Sequence, residues 1–154
     1  MPDTSAQSTD DVLAAIIRNV ESSGRLSAVR FEPGIHNSLA QLDSNLPLIE
    51  KIAGFNACNI DTAKIIFSSS FGLWQMMGFN VYSYEFDNPI LKFWESELVQ
   101  RSIYDAFIVR NDINFSWREM LGDRTKLEKF ARIYNGPANV SQYISSMYTA
   151  ARNL

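Results

Sequence analysis

Apolar residues in this chain recur at spacings of three and four, while strand-like alternation is scarce. That periodicity places most of the chain on helices with one buried face. Leu13 and Ile17 lead to Glu21 four residues apart, beside Val12, Ile16 and Val20. Thr9 is the expected N-cap, with Asp10 and Asp11 in the first turn, and Gly24 ends the helix. A second helix is expected from Ser38 to Ala53, split or kinked at Pro47, and a third from Asn59 to Phe67. Ser68–Ser70 reads as a break, and Leu73–Met77 as a short apolar helix closed by Gly78. Asn88-Pro89 opens a long helix to Arg110 that buries Ile90, Phe93, Trp94, Leu98, Ile103 and Phe107. Further helices are expected at Ser116–Leu121, Arg124–Ile133 and Asn139–Arg152. Only Leu26–Phe31 and Asn80–Phe86 suit a small hairpin or extended pieces. The expected class is mainly α: a single compact helical domain over residues 9–154, behind a disordered arm at residues 1–8.

The 154 residues are long enough for one domain that buries about 70% of its unfolded surface without staples. Cys58 is the one cysteine and His36 the one histidine, so no internal disulfide forms. A lone cysteine is more often a small buried hydrophobe than a nucleophile. Residues 1–8 lack the basic and apolar regions of a signal peptide, and no apolar run approaches the ~18 residues that span a bilayer. The formal net charge is −3 and the fourteen Lys and Arg are scattered, which argues against a nucleic-acid partner. The aromatic content, three Trp, six Tyr and ten Phe, suits both a core and a surface that binds sugar rings. No metal or cofactor is expected, and a monomer is the default.

Glu21 carries the most specific chemistry. An acid that protonates a glycosidic oxygen near neutral pH must keep its proton, and an apolar setting favours the neutral form. Glu21 continues an apolar face at the last helical turn, and Ser22-Ser23-Gly24 opens it towards a cleft. The plain alternative is a helix-terminal glutamate that faces solvent. Glu32, in Phe31-Glu32-Pro33, is the nearest candidate for a second carboxylate, with a structural role the favoured reading.

At these residues the chain resembles the lysozyme superfamily, and within it the N-acetylmuramidase family of phage lysis proteins and virion-associated wall hydrolases. Goose-type lysozymes and soluble lytic transglycosylases are more distant relatives. Glu21-Ser22-Ser23-Gly24 is similar to the family's catalytic motif, and Ser70 through Asn80 to its Ser-x-Gly-Leu-x-Gln signature with Met-Gly-Phe-Asn following. Phe130-Ala131, then Tyr134 to Pro137, resemble its late segment, with Tyr143 beyond. The motifs stand in order from about residue 10 to the end. The chain departs from the pattern after Phe31-Glu32, where His36 is displaced with no aromatic behind it, so no role passes to His36.

The resemblance implies a lysozyme-like fold with Glu21 as general acid. Ser70, Gln75 and Asn80 would line a glycan groove, Gln75 contacting an acetamido or hydroxyl group. Tyr134 and Asn135 would orient the acid or the N-acetyl group across the groove, and Tyr143 would bind substrate with them. Phe71, Leu73, Met76 and Met77 are read as core. The implied bond is the β-1,4 link between N-acetylmuramic acid and N-acetylglucosamine. A hydrolase pairs the acid with a second carboxylate roughly 5–10 Å away. A lytic transglycosylase needs one acid and closes a 1,6-anhydro ring; an inactive wall-binding or virion module is the non-enzymatic alternative. The glycan strands of peptidoglycan are the expected partner. The acidic balance suggests delivery from the cytoplasm to the wall by a virion or larger phage assembly, or release through a membrane pore.

Overall fold

A computed structural model describes residues 10–154, which fall into two compact units, residues 21–107 and residues 10–20 with 108–154. The expected arm at residues 1–8 and the Thr9 cap lie outside the described residues. Among the described residues the chain forms eleven helices and one three-stranded sheet, so the mainly α class holds.

Helix α1 (Asp11–Ser22) runs from the unit of residues 10–20 into residues 21–107, where a loop leads to β1 (Val29–Phe31). Short helices α2 (Pro33–His36) and α3 (Leu39–Ser44) precede α4 (Leu46–Asn56) and α5 (Ile60–Phe67). Pro47 near the start of α4 and Asn45 between the helices divide the segment expected as one kinked helix. Asn59 caps α5 as its type requires, accepting from the Thr62 N–H at 2.8 Å. Strands β2 (Ser69–Phe71) and β3 (Met76–Met77) follow, then α6 (Gly78–Ser83), α7 (Ile90–Trp94) and α8 (Glu97–Arg110). The sheet order is β1-β2-β3, antiparallel throughout, with Val29 opposite Phe71, Phe31 opposite Ser69 and Ser70 opposite Met77.

Three expectations fail here, each for a local reason. Leu73–Met77 is not a helix: Gly72 (φ 79°) and Gln75 (φ 48°) adopt left-handed backbone and fold Ser69–Met77 into a hairpin. Asn80–Phe86 is not a strand, because Gly78 opens α6 rather than closing a helix. The helix expected from Asn88 to Arg110 breaks at Glu95-Ser96, where the Ser96 hydroxyl accepts from the Val99 N–H and starts α8 afresh. Leu98, expected inside, is 83% exposed, while Gln100, which shares a face with Ile103, Tyr104 and Phe107, is 1% exposed.

A polar knot ties α4 to the start of α7. The Asn56 amide donates to the Tyr82 hydroxyl at 2.7 Å and accepts from the Ile90 N–H at 2.8 Å, while the Tyr82 hydroxyl donates to the Asn88 carbonyl. Burial pushes the Tyr82 hydroxyl from 10.0 up to about 12, against a smaller lowering by its Asn56 bond.

In residues 10–20 and 108–154, α9 (Trp117–Gly122), α10 (Arg124–Asn135) and α11 (Val140–Arg152) bury Met120, Leu127, Phe130, Ile144 and Met147. The Asp10 carboxylate accepts from the Val12 N–H at 2.9 Å, at the start of α1, and from the Trp117 N–H at 2.5 Å. Ser116 and Glu119 form a reciprocal capping box on α9, and Asp123 caps α10.

Candidate active site

Glu21 lies in the last turn of α1, half-buried, and its helix ends in two left-handed residues, Ser23 (φ 53°) and Gly24 (φ 77°). The loop that follows is held by local hydrogen bonds. The Arg25 N–H and Nε both donate to the Ser22 carbonyl, at 3.2 and 3.1 Å, and the Ala28 N–H donates to the Arg25 carbonyl at 3.3 Å. Ala28 then accepts from the Gly72 N–H at 2.8 Å. The polypeptide leaving Glu21 is therefore bonded, seven residues on at Ala28, to the turn of the β2–β3 hairpin.

Inside the hairpin, Ser70 and Gln75 are buried and bonded to each other: the Ser70 hydroxyl donates to Gln75 Oε1 at 2.9 Å. Gln75 Nε2 donates to the Gly72 carbonyl at 3.0 Å, so both ends of its amide are used within the turn. A sugar contact by Gln75 requires it to exchange one of these bonds. Phe71, Leu73 and Met76 are buried and Met77 is half-buried, as their core reading requires. Trp74 stacks on Tyr104 of α8 with ring centres 5.3 Å apart. Asn80, half-buried in α6, contributes its carbonyl to the Tyr84 N–H.

The residue that sequence reasoning missed is Gln100. Its Oε1 accepts from the Leu73 N–H at 2.6 Å, and its Nε2 donates to the carbonyls of Leu26 (3.0 Å) and Phe93 (3.1 Å). The available signal was a polar side chain three, four and seven residues before Ile103, Tyr104 and Phe107 on an apolar face.

Glu32 follows β1, half-buried, and pairs with Arg30 at 2.5 Å; its own N–H donates to the Ser68 carbonyl. His36 sets its ring edge-on to Phe31 at 5.2 Å, and Cys58 is half-buried.

Tyr134, Asn135 and Tyr143 belong to the other unit. Phe130, Tyr134 and Tyr143 form a ladder of stacked rings, with centres 5.5 and 6.4 Å apart. Tyr143 is buried and Tyr134 half-buried, while exposed Asn135 donates to the Ala138 carbonyl at 3.3 Å in the turn that Gly136 (φ 86°) opens. The same unit holds a cavity of about 620 Å³ floored by Leu13, Ile108, Ile113 and Phe115. Of its rim carboxylates, Asp10 and Glu119 are already engaged by helix caps. Among the described residues no cluster of His, Cys, Asp and Glu suits a metal ion, and no helix is long and apolar enough to cross a membrane.

The family model for N-acetylmuramidase matches residues 52–154, two thirds of the chain and the whole of the hairpin and late tyrosine segments. The chain belongs to the N-acetylmuramidase family, and its activity class is peptidoglycan hydrolysis. It is similar to the endolysin of Enterobacteria phage PRD1, at 33% identity over 132 residues that cover 84% of this chain and 89% of that protein. No solved structure matches it. The family match begins after Glu21 and Glu32.

Proposed function

We propose that this chain hydrolyses the β-1,4 bond between N-acetylmuramic acid and N-acetylglucosamine, with Glu21 as the general acid. One observation carries this reading: the loop leaving Glu21 is hydrogen-bonded, through Ala28 and Gly72, to the turn that bears the family signature. Glu21 stands at the C-terminal end of α1, where the loop to the hairpin begins. It gives its proton to the departing sugar oxygen as the anomeric carbon of the muramic acid is attacked by water. The hairpin turn is assigned to one wall of the glycan groove, its shape held by the Ser70–Gln75 bond, with Asn80 assigned to the same wall by resemblance to the family motif. Tyr134, Asn135 and Tyr143 are assigned to substrate binding by resemblance to the family motif. The enzyme acts as a monomer on glycan strands in the wall. Its charge of −3 gives no attraction to an anionic envelope, which supports delivery by a phage assembly or release through a pore.

A second reading, a lytic transglycosylase, draws support from Glu32: the nearest sequence candidate for a second carboxylate is bound to Arg30. Mass spectrometry of digested purified peptidoglycan separates the two. Muropeptides with reducing muramic acid ends are expected; 1,6-anhydro ends as the main product would overturn the hydrolase.

A further inference from the structure

We infer that Gln100 is a positioning residue for the Glu21 site, setting how far the loop behind the acid stands from the hairpin turn. The inference rests on Glu21 being the acid. Gln100 is 1% exposed and its amide joins three segments at once: Leu73 in the turn, Leu26 in the loop and Phe93 in α7. Leu26 is five residues beyond Glu21 and two before Ala28, which binds Gly72 directly. The loop and the turn are thus joined twice, once through main chain and once through this side chain.

The joint has no slack. A Cβ placed on Gly72 would stand 2.2 Å from Gln100 Oε1 and 2.6 Å from its amide carbon. The turn therefore rests on the amide with only a glycine between them, at a φ (+79°) that other residues rarely adopt. Every bonding direction matters, because no other side chain of this shape supplies one acceptor and two donor bonds. Methionine fills the volume and removes all three bonds. Glutamate keeps the acceptor for Leu73, but when ionised it presents oxygen to the Leu26 and Phe93 carbonyls; when protonated it donates to one of them. Substitution lets the turn and the loop drift apart, and a displacement near 1 Å at a catalytic group costs up to about a hundredfold in rate.

The test compares wild type, Gln100→Met, Gln100→Glu and Glu21→Gln on solubilised peptidoglycan glycan chains, measuring kcat and KM across pH, with thermal unfolding alongside. The expected result is a fall in kcat of about tenfold or more in Gln100→Met well below its melting temperature, with KM changed less than about twofold. In Gln100→Glu, the kcat ratio to wild type rises as pH falls, since the protonated carboxyl regains a donor. Wild-type kcat in folded Gln100→Met, equal changes in kcat and KM, or a pH-independent ratio in Gln100→Glu overturns the inference. So does failure of both variants to fold, which makes Gln100 a stability residue alone. Full activity in Glu21→Gln removes the acid assignment instead, whatever the Gln100 variants do.

Discussion

Gly78 passes so close to Ile66 that a Cβ on the glycine would lie 1.9 Å from the Ile66 carbonyl oxygen. The contact presses the start of α6 onto the main chain of α5, and only a residue without a side chain fits. Both partners are backbone, so neither can swing away. Gly78→Ala is expected to cost about 1–3 kcal/mol, as overpacking does. Chemical denaturation read by tryptophan fluorescence checks this: a lowered midpoint with unchanged slope is the expected outcome, and an unchanged midpoint contradicts the close approach.

The Asn56–Tyr82 knot gives the protein an alkaline limit. Tyr82 ionises at about 12 when folded and at 10.0 ordinarily, so folding favours the protonated phenol. The stability this contributes is complete below pH 10 and is lost as pH rises through 12. Melting temperatures between those limits are expected to fall more steeply in wild type than in Tyr82→Phe. Equal slopes would show that Tyr82 does not govern alkaline unfolding. Asn56→Ala, which strands the buried Ile90 N–H, is expected to lose about 2 kcal/mol at neutral pH.

Glu32 distinguishes a two-carboxylate mechanism from a single acid. Its partner Arg30 is 62% exposed, and such pairs are worth about 1 kcal/mol or less. Glu32→Gln is therefore expected to keep wall-lysing activity within about threefold and stability within about 1 kcal/mol. A loss of about a hundredfold or more in a folded variant would instead make Glu32 the second catalytic carboxylate.

How much of this was legible in the sequence follows from what each feature depends on. Asn59, Ser116 and the Pro47 break act within a few residues, and the elements they start or stop stand where expected. The class and the family motifs were legible for the same reason: they are strings of adjacent residues. The hairpin at Ser69–Met77 was not, because its apolar run suits a helix and only the left-handed turn at Gly72 and Gln75 decides otherwise. That turn is fixed by the Ser70–Gln75 and Gln100–Leu73 bonds, the second joining residues 27 apart in the chain. Gln100 was overlooked because spacing puts a polar residue on an apolar face without naming the distant backbone groups, at Leu26, Leu73 and Phe93, that satisfy it. Long-range hydrogen bonds leave little trace in spacing.

The central claim is that Glu21 supplies the proton. Glu21→Gln keeps the size and polarity of the side chain and removes only the acid. Release of reducing ends from purified peptidoglycan, measured beside a thermal melt, is the direct test. A fall of at least about a hundredfold with an unchanged melting temperature is predicted. Activity within a few fold of wild type would contradict the account and move the acid elsewhere.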